Sequence, residues 1–350
     1  MLVSMGFLGI SPVHADSQPV LYGTFFYVWY PSHFNGIPPS PLPRTWWTCP
    51  DVPLMGYYYS NESSIIKEQI IFMHNAGINF VLISWWNDSE TDNAMRQVFE
   101  TVSQLPFSIK LAISVEPINE SGTYDFPLIM DYIYNTYVEP YRSIYMTLDD
   151  KPLLTWMQGG TMTNPQANQI AIHNDSRFES RIIGDMDYVD WYWWFPNNEH
   201  PEQHDPKLET RLDGGETTIE PRYDDSRLGL DPFSGEVRNT TDDPDYSEGQ
   251  YQVQWDIAND WIKKGQCHII LIGTWNDYTE RTQIEPCFDS TSKFSDNPFY
   301  LLKITRQNIL GVTSSPTNPN VWLPIVSGVL GAIIASGIVS YYFLKIRKKS

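Results

Sequence analysis

The sequence predicts an α/β fold: a (β/α)8 TIM barrel with extended loops, plus one C-terminal transmembrane helix. Three observations predict it. Strand-like and helix-like runs alternate from residue 21 to residue 308, the pattern of a parallel sheet with helical crossovers. The chain has 350 residues, which suits one large barrel with short appendages. Residues 321–344 carry no charge, and that run is long enough to cross a hydrocarbon layer of about 30 Å.

The elements follow in order. Residues 21–30, LYGTFFYVWY, read as the first strand. A helix is expected over 62–76, with Ser60-Asn61 as its cap and Gly77 as its stop. Residues 78–85, INFVLISW, form a continuous apolar run of the kind buried on both faces. Then come a helix over 92–105, a strand over 108–116, a helix over 126–138, a strand over 152–157 and a helix over 166–177. Short strands are expected at 181–185, 190–195 and 217–223. An amphipathic helix spans 250–264, the last strand 268–275, and a closing helix 298–308. The stretch 196–249 is rich in Pro, Gly, Asp and Glu and reads as long loops around one strand.

The ends suggest a location. Residues 1–15 are apolar and finish in Val13-His14-Ala15, like the end of a secretory signal, although the basic start of such a signal is missing. The alternative is a retained tail. The barrel is expected over 16–312, a polar linker over 313–320, the membrane helix over 321–344 and a basic tail over 345–350. Lys345, Arg347, Lys348 and Lys349 mark the cytoplasmic side, which puts the barrel outside the cytoplasm. Asn61, Asn87, Asn119, Asn174 and Asn239 each start an Asn-x-Ser/Thr sequon, an acceptor pattern for glycosylation in such a compartment.

Composition narrows the partners. The formal charge is −19, which argues against nucleic acid, since phosphate binding needs clustered Lys and Arg. The three cysteines, Cys49, Cys267 and Cys287, include no CxxC. One pair can bridge in an oxidising compartment, and the sequence does not choose it. His200 and His204 lie in a Pro-rich acidic loop without a third ligand, and 242–245 lacks the Gly and Glu of a calcium loop. No metal or cofactor is implied, and the oligomeric state stays open. The sequence has no GxSxG, HExxH or P-loop.

Aromatic residues make up 14% of the chain, and many sit in pairs such as Trp85-Trp86 and Trp193-Trp194. Rings with an apolar face and a polar edge suit sugars. Active sites of barrels lie at the C-terminal ends of the strands. The residues expected there are Tyr27, Trp29, Tyr30, Trp85, Trp86, Glu116, Trp156, Asp185, Asp187, Tyr192, Trp194, Arg222, Tyr223, Asp224, Asp277 and Glu280. The simpler reading of any one of these aromatics is that it plugs the barrel top.

The chemistry centres on Trp275-Asn276-Asp277-Tyr278-Thr279-Glu280, which follows the last strand. Glycoside hydrolysis uses two carboxyl groups, one giving a proton to the leaving oxygen. By pattern alone the acidic pair also fits a solvated turn.

This segment resembles the last-strand motif of glycoside hydrolase family 99, the endo-α-mannosidase and endomannanase family. Trp275, Asn276, Glu280, Thr282, Glu285 and Pro286 match its Trp-Asn-Glu-Trp-x-Glu-Gly-Thr-x-x-Glu-Pro pattern. The likeness extends in order through Tyr27 to Tyr30, Gly56-Tyr57-Tyr58, Ala76-Gly77-Ile78, Ser84-Trp85-Trp86, Glu116-Pro117 and Pro221-Arg222-Tyr223-Asp224-Asp225. The resemblance implies a retaining endo-α-mannosidase-like enzyme acting on a glycan. Asp277 would be the base on the sugar 2-hydroxyl and Glu280 the acid/base, with Trp275 and Asn276 beside them. The chain departs from the pattern at Asp277 for Glu, Tyr278 for Trp, Thr279 where His is common, and Arg281 and Arg222 for Gly. Those departures leave two alternatives: an inactive glycan-binding surface protein, and a structural protein on the same barrel. Arg281 between the two carboxyls would argue against catalysis.

Overall fold

The computed structural model describes residues 19–30, 51–116, 125–157, 165–184, 189–193, 210–222, 249–288 and 297–311. In chain order the strands are β1 (Leu21–Tyr27), β2 (Val52–Pro53), β3 (Phe80–Trp85), β4 (Lys110–Val115), β5 (Thr147–Leu148), β6 (Lys151–Met157), β7 (Glu179–Gly184), β8 (Trp191–Tyr192), β9 (Glu216–Ile219), β10 (Ile269–Ile272) and β11 (Cys287–Phe288). The α-helices are α1 (Ser63–Ala76), α2 (Ser89–Ser103), α3 (Phe126–Ile133), α4 (Pro165–His173), α5 (Gly249–Lys263) and α6 (Tyr300–Leu310).

The barrel strands run in the order β8-β7-β6-β4-β3-β1-β10-β9, and every pairing along that path is parallel. At the ends of the path β8 and β9 lie against each other, so the eight-stranded barrel is nearly closed. Because all strands point the same way, their C-terminal ends share one rim. Tyr27 is level with Ser84, Trp85 with Val115, and Ile219 with Ile272. Two small antiparallel pairings lie off the barrel: β5 folds back on β6, and β11 pairs with β2.

Local chemistry explains the elements. β3 reads FVLISW and is buried at every residue, as a strand covered on both faces must be. Its Phe80 ring lies over Gly23 of β1, where a Cβ would come within 2.3 Å of the ring. α1 stops at Gly77, whose φ of 90° lets its N–H and that of Ile78 bond the carbonyls of His74 and Met73. The expected Ser60-Asn61 cap is not used. Glu62 holds the cap position without a side-chain bond, and Ser60 Oγ instead accepts from Tyr30 N at 3.0 Å. A tertiary contact has taken the serine from the helix. The helix expected over 126–138 is present as α3, with its last turn, Tyr134–Val138, widened to a π-helix.

Among the described residues no helix is long and apolar enough to cross a membrane. The runs 1–15, 313–320, 321–344 and 345–350 lie outside the described residues, as do Cys49, His200 and His204. Cys267 and Cys287 are both buried and do not bridge each other.

Candidate active site

The loop after β10 is held by hydrogen bonds to β1 and the residues after it and by bonds within the loop itself. Trp275 N donates to Phe25 O at 2.7 Å, extending the ladder to β1 by one step. Asn276 then replaces a strand with its side chain: Oδ1 accepts from Tyr27 N at 2.8 Å and Nδ2 donates to Tyr27 O at 2.9 Å. Its carbonyl accepts from Tyr30 Oη at 2.7 Å. Thr282 returns the chain, with the Thr274 and Thr282 hydroxyls 2.9 Å apart and Thr282 N donating to Asp277 O at 3.2 Å.

Asp277 caps the turn that this frame holds. Its Oδ1 accepts from Thr279 N at 2.9 Å, Thr279 Oγ1 at 2.6 Å and Glu280 N at 3.1 Å. All three contacts fall on one oxygen. Burial pushes the Asp277 carboxyl pKa up, and the Thr279 and Glu280 donors pull it back. From Ile269 to Cys287, Glu280 is the one residue that is not buried. A closed loop therefore presents a single partly exposed side chain, and it is the expected proton donor.

The wall facing this turn is aromatic and acidic. Tyr27 stacks on Trp29 at 4.3 Å, and Trp86 lies 6.0 Å from Trp29. Trp86 Nε1 donates to Ser84 Oγ at 3.0 Å. The Tyr27 hydroxyl is held well above its usual pKa by burial and then by Glu116, Asp277, Glu280 and Glu220. Those four carboxyls thus share one neighbourhood. Glu116 is buried, and its pKa is pushed up to about 8 by burial, with Ser84 lowering it and Asp277 raising it. Its Oε1 is buried without a hydrogen-bond partner, an arrangement that natural proteins keep rare.

Several expected lining residues have other duties. Trp85 is buried and stacks on Tyr132 at 5.7 Å, on the helical side of the sheet. Trp156 packs edge-on against Phe126 of α3. Trp275 is fully buried. Asn276 and Tyr30 brace the loop as described. Tyr192 lies under the Arg211 guanidinium, 4.4 Å from the ring centre. Asp185, Asp187, Trp194, Tyr223 and Asp224 lie outside the described residues.

The sequence reading missed Glu220, Gln254, Gly273 and Asp51. Glu220 follows β9 directly, and its Oε1 accepts from Trp193 Nε1. Gln254 fixes the Glu220 backbone in both directions, at 2.9 and 2.8 Å. Gly273 makes room, since a Cβ there would lie 3.0 Å from the Trp193 ring and 3.1 Å from Glu220 Oε1. The rule that placed Glu116, a carboxyl just past a strand end, also points to Glu220. Asp51 is the last of them. It is fully buried and shared by Arg222, Arg281 and Gln283. No local pattern announces it.

Arg281 was the decisive position. Its Nε and Nη2 reach Asp51 at 3.2 and 3.3 Å.

The fold and its rim define a (β/α)8-type barrel whose mouth gathers carboxyls beside stacked aromatics. Among solved structures, the chain is similar to the family 99 endo-α-mannosidase of Bacteroides thetaiotaomicron, with 18% identity over 83% of this chain and 96% of that one, at a TM-score of 0.59. The same enzyme in complex with bis-tris-propane gives 18% identity and a TM-score of 0.58. A glycoside hydrolase-like protein gives 15% identity over 86% of this chain and 97% of that one, at a TM-score of 0.54. The likeness to family 99 structures that the motifs implied is therefore present in the fold. No protein-family model matches the sequence, and neither does any curated protein.

Proposed function

We propose that the protein is a retaining glycoside hydrolase that cleaves α-linked mannose-type glycans, held outside the cytoplasm by a C-terminal membrane helix. The observation that carries this reading is the loop at 277–280. It fixes Asp277 by three hydrogen bonds and leaves Glu280 alone unburied. Asp277 takes the proton of the sugar 2-hydroxyl as that oxygen closes on the anomeric carbon. Glu280 gives its proton to the departing glycosidic oxygen. Water then opens the anhydro-sugar, losing a proton to Glu280, while Asp277 returns its proton to the 2-oxygen. Two displacements at one carbon retain its configuration. Trp86, partly exposed beside the buried Tyr27–Trp29 stack, offers a face for a sugar ring.

The placement of Arg281 on Asp51 favours this reading over an inactive binder, because the guanidinium is engaged by a buried carboxyl outside the 277–280 pair. The location rests on the uncharged run 321–344 and the basic residues after it. Asn61 and Asn174 are exposed, as glycosylation requires, and Asn87, also exposed, adjoins Trp86 too closely for easy modification. The test uses detergent-solubilised full-length protein with aryl α-mannosides and oligomannose, followed by product analysis. Release of an α-configured product that is lost in Glu280→Gln supports the proposal. Glycan binding without turnover would replace it with the binding protein.

A further inference from the structure

We propose that Asp51, Arg222 and Arg281 form a clamp that positions the turn carrying Asp277 and Glu280. The inference rests on the glycosidase reading above and adds positioning residues to it. Arg281 closes the turn at a φ of 57°, a left-handed conformation that side chains other than Asn and Asp adopt rarely. Something must hold it there. The Arg281 carbonyl accepts from Arg222 Nε at 2.7 Å, so one arginine grips the backbone of the other. Both guanidiniums then close on Asp51: Arg222 Nη2 lies 2.8 Å from Oδ2, and Arg281 reaches both oxygens. Gln283 Nε2 adds a contact of 2.7 Å on Oδ2.

Asp51 is itself anchored beside this loop. It directly precedes β2, which pairs with β11, and Leu54 N donates to Pro286 O at 2.8 Å. The clamp therefore ties three segments: the stretch entering β2, the end of β9, and the turn after β10. All three side chains are buried, where charge-assisted bonds hold geometry most firmly. The two arginines stand where the family pattern has glycine, yet their charge is directed at Asp51. Their role is to preset the turn.

The test compares full-length wild type, Asp51→Asn and the double variant Asp51→Asn/Arg281→Gly. It reads kcat, KM and pH profile on the α-mannoside, with hydrogen exchange of the 274–284 amides. Asp51→Asn is expected to lower kcat by about tenfold or more, the scale set by misplaced reacting groups, with KM changed little. Its acid limb should move to lower pH, because guanidiniums deprived of their carboxylate favour ionised Asp277. Exchange across 274–284 should quicken. The double variant should regain part of the lost kcat, since glycine is at ease at this φ and one of the two stranded cations is gone. Wild-type kcat, pH profile and exchange in Asp51→Asn would overturn the clamp. So would a loss of kcat that the double variant does not restore. If the wild type hydrolyses nothing, the glycosidase reading falls, and the exchange data alone decide the clamp.

Discussion

The loop after β10 holds its carboxyls in two ways. Over 277–280 the loop caps itself: Asp277 is buried and bonded on one oxygen by its own turn, and Glu280 is partly exposed. A few residues later Glu285 is fully enclosed. Tyr58 Oη donates to one of its oxygens and Gln69 Nε2 to the other, each at 2.9 Å. Its backbone N–H donates to Trp275 O at 2.8 Å. Both regions are acidic and both sit in a buried loop. The difference is in who supplies the hydrogen bonds. Asp277 is served by its own turn, so its second oxygen is left out of the turn's bonding. The Glu285 side chain is served by Tyr58 and Gln69 from outside the loop, so its hydrogen bonds fasten the loop to the barrel.

The largest effects should come from the first region. Glu280→Gln keeps the shape and removes the proton. It should cost about 10²- to 10⁴-fold in kcat/KM, the usual worth of a general acid–base group, with Tm unchanged. A variant that loses Tm as well would mean that Glu280 belongs with Glu285.

Glu285→Gln should behave in the opposite way. It leaves amide hydrogens facing donors that lose their acceptor, and an unmet buried polar group costs about 1–3 kcal/mol. Chemical denaturation of the full-length protein should show that loss, and any fall in kcat should be the smaller effect. Unchanged stability would break the contrast between the two regions.

Thr279→Val separates the turn from its cap at smaller cost. It removes the hydroxyl donor 2.6 Å from Asp277 Oδ1 and keeps the backbone donors. One hydrogen bond to an ionised group is worth about 1.5–3 kcal/mol. Relieved of that donor, Asp277 should titrate higher, moving the acid limb of the pH–rate profile upward. An unmoved limb would mean that Asp277 is not the base.

The contrast also explains what the sequence revealed. Tyr27, Glu116 and Asp277 stand at or just past strand ends, so a barrel topology alone brings them to one rim. The apolar run of β3 and the glycine after α1 were legible because each depends on neighbours in sequence. Trp85 was misplaced because adjacent residues of a strand face opposite sides. It points to α3 while Ser84 is the neighbour of Glu116. The Asp51 clamp was invisible because its partners, Arg222 and Arg281, lie far along the chain. Such ion pairs have no period, and only the folded barrel brings them together. Ser60 failed as a cap for the same reason, since Tyr30 claims its hydroxyl.

The smallest expected effect is on stability against pH. Burial lifts Glu116 to about 8 and Glu285 to about 7, whereas an unfolded glutamate titrates near about 4.3. Between those values the folded protein binds more protons than the unfolded chain, so stability falls as pH rises. Their contribution is fully present below about pH 4.3 and is lost as pH climbs through the folded values of about 7 and about 8. The chain's charge of −19 pushes the same way by self-repulsion, so wild type alone cannot separate the causes. Glu116→Gln should flatten the Tm decline between pH 5 and 8, and Glu285→Gln should flatten it while also lowering Tm throughout. A Glu116→Gln protein whose Tm still falls as steeply as wild type would show that Glu116 is ionised in the folded state. It would then stand as a third charge facing Asp277, rather than as the neutral wall of the cleft.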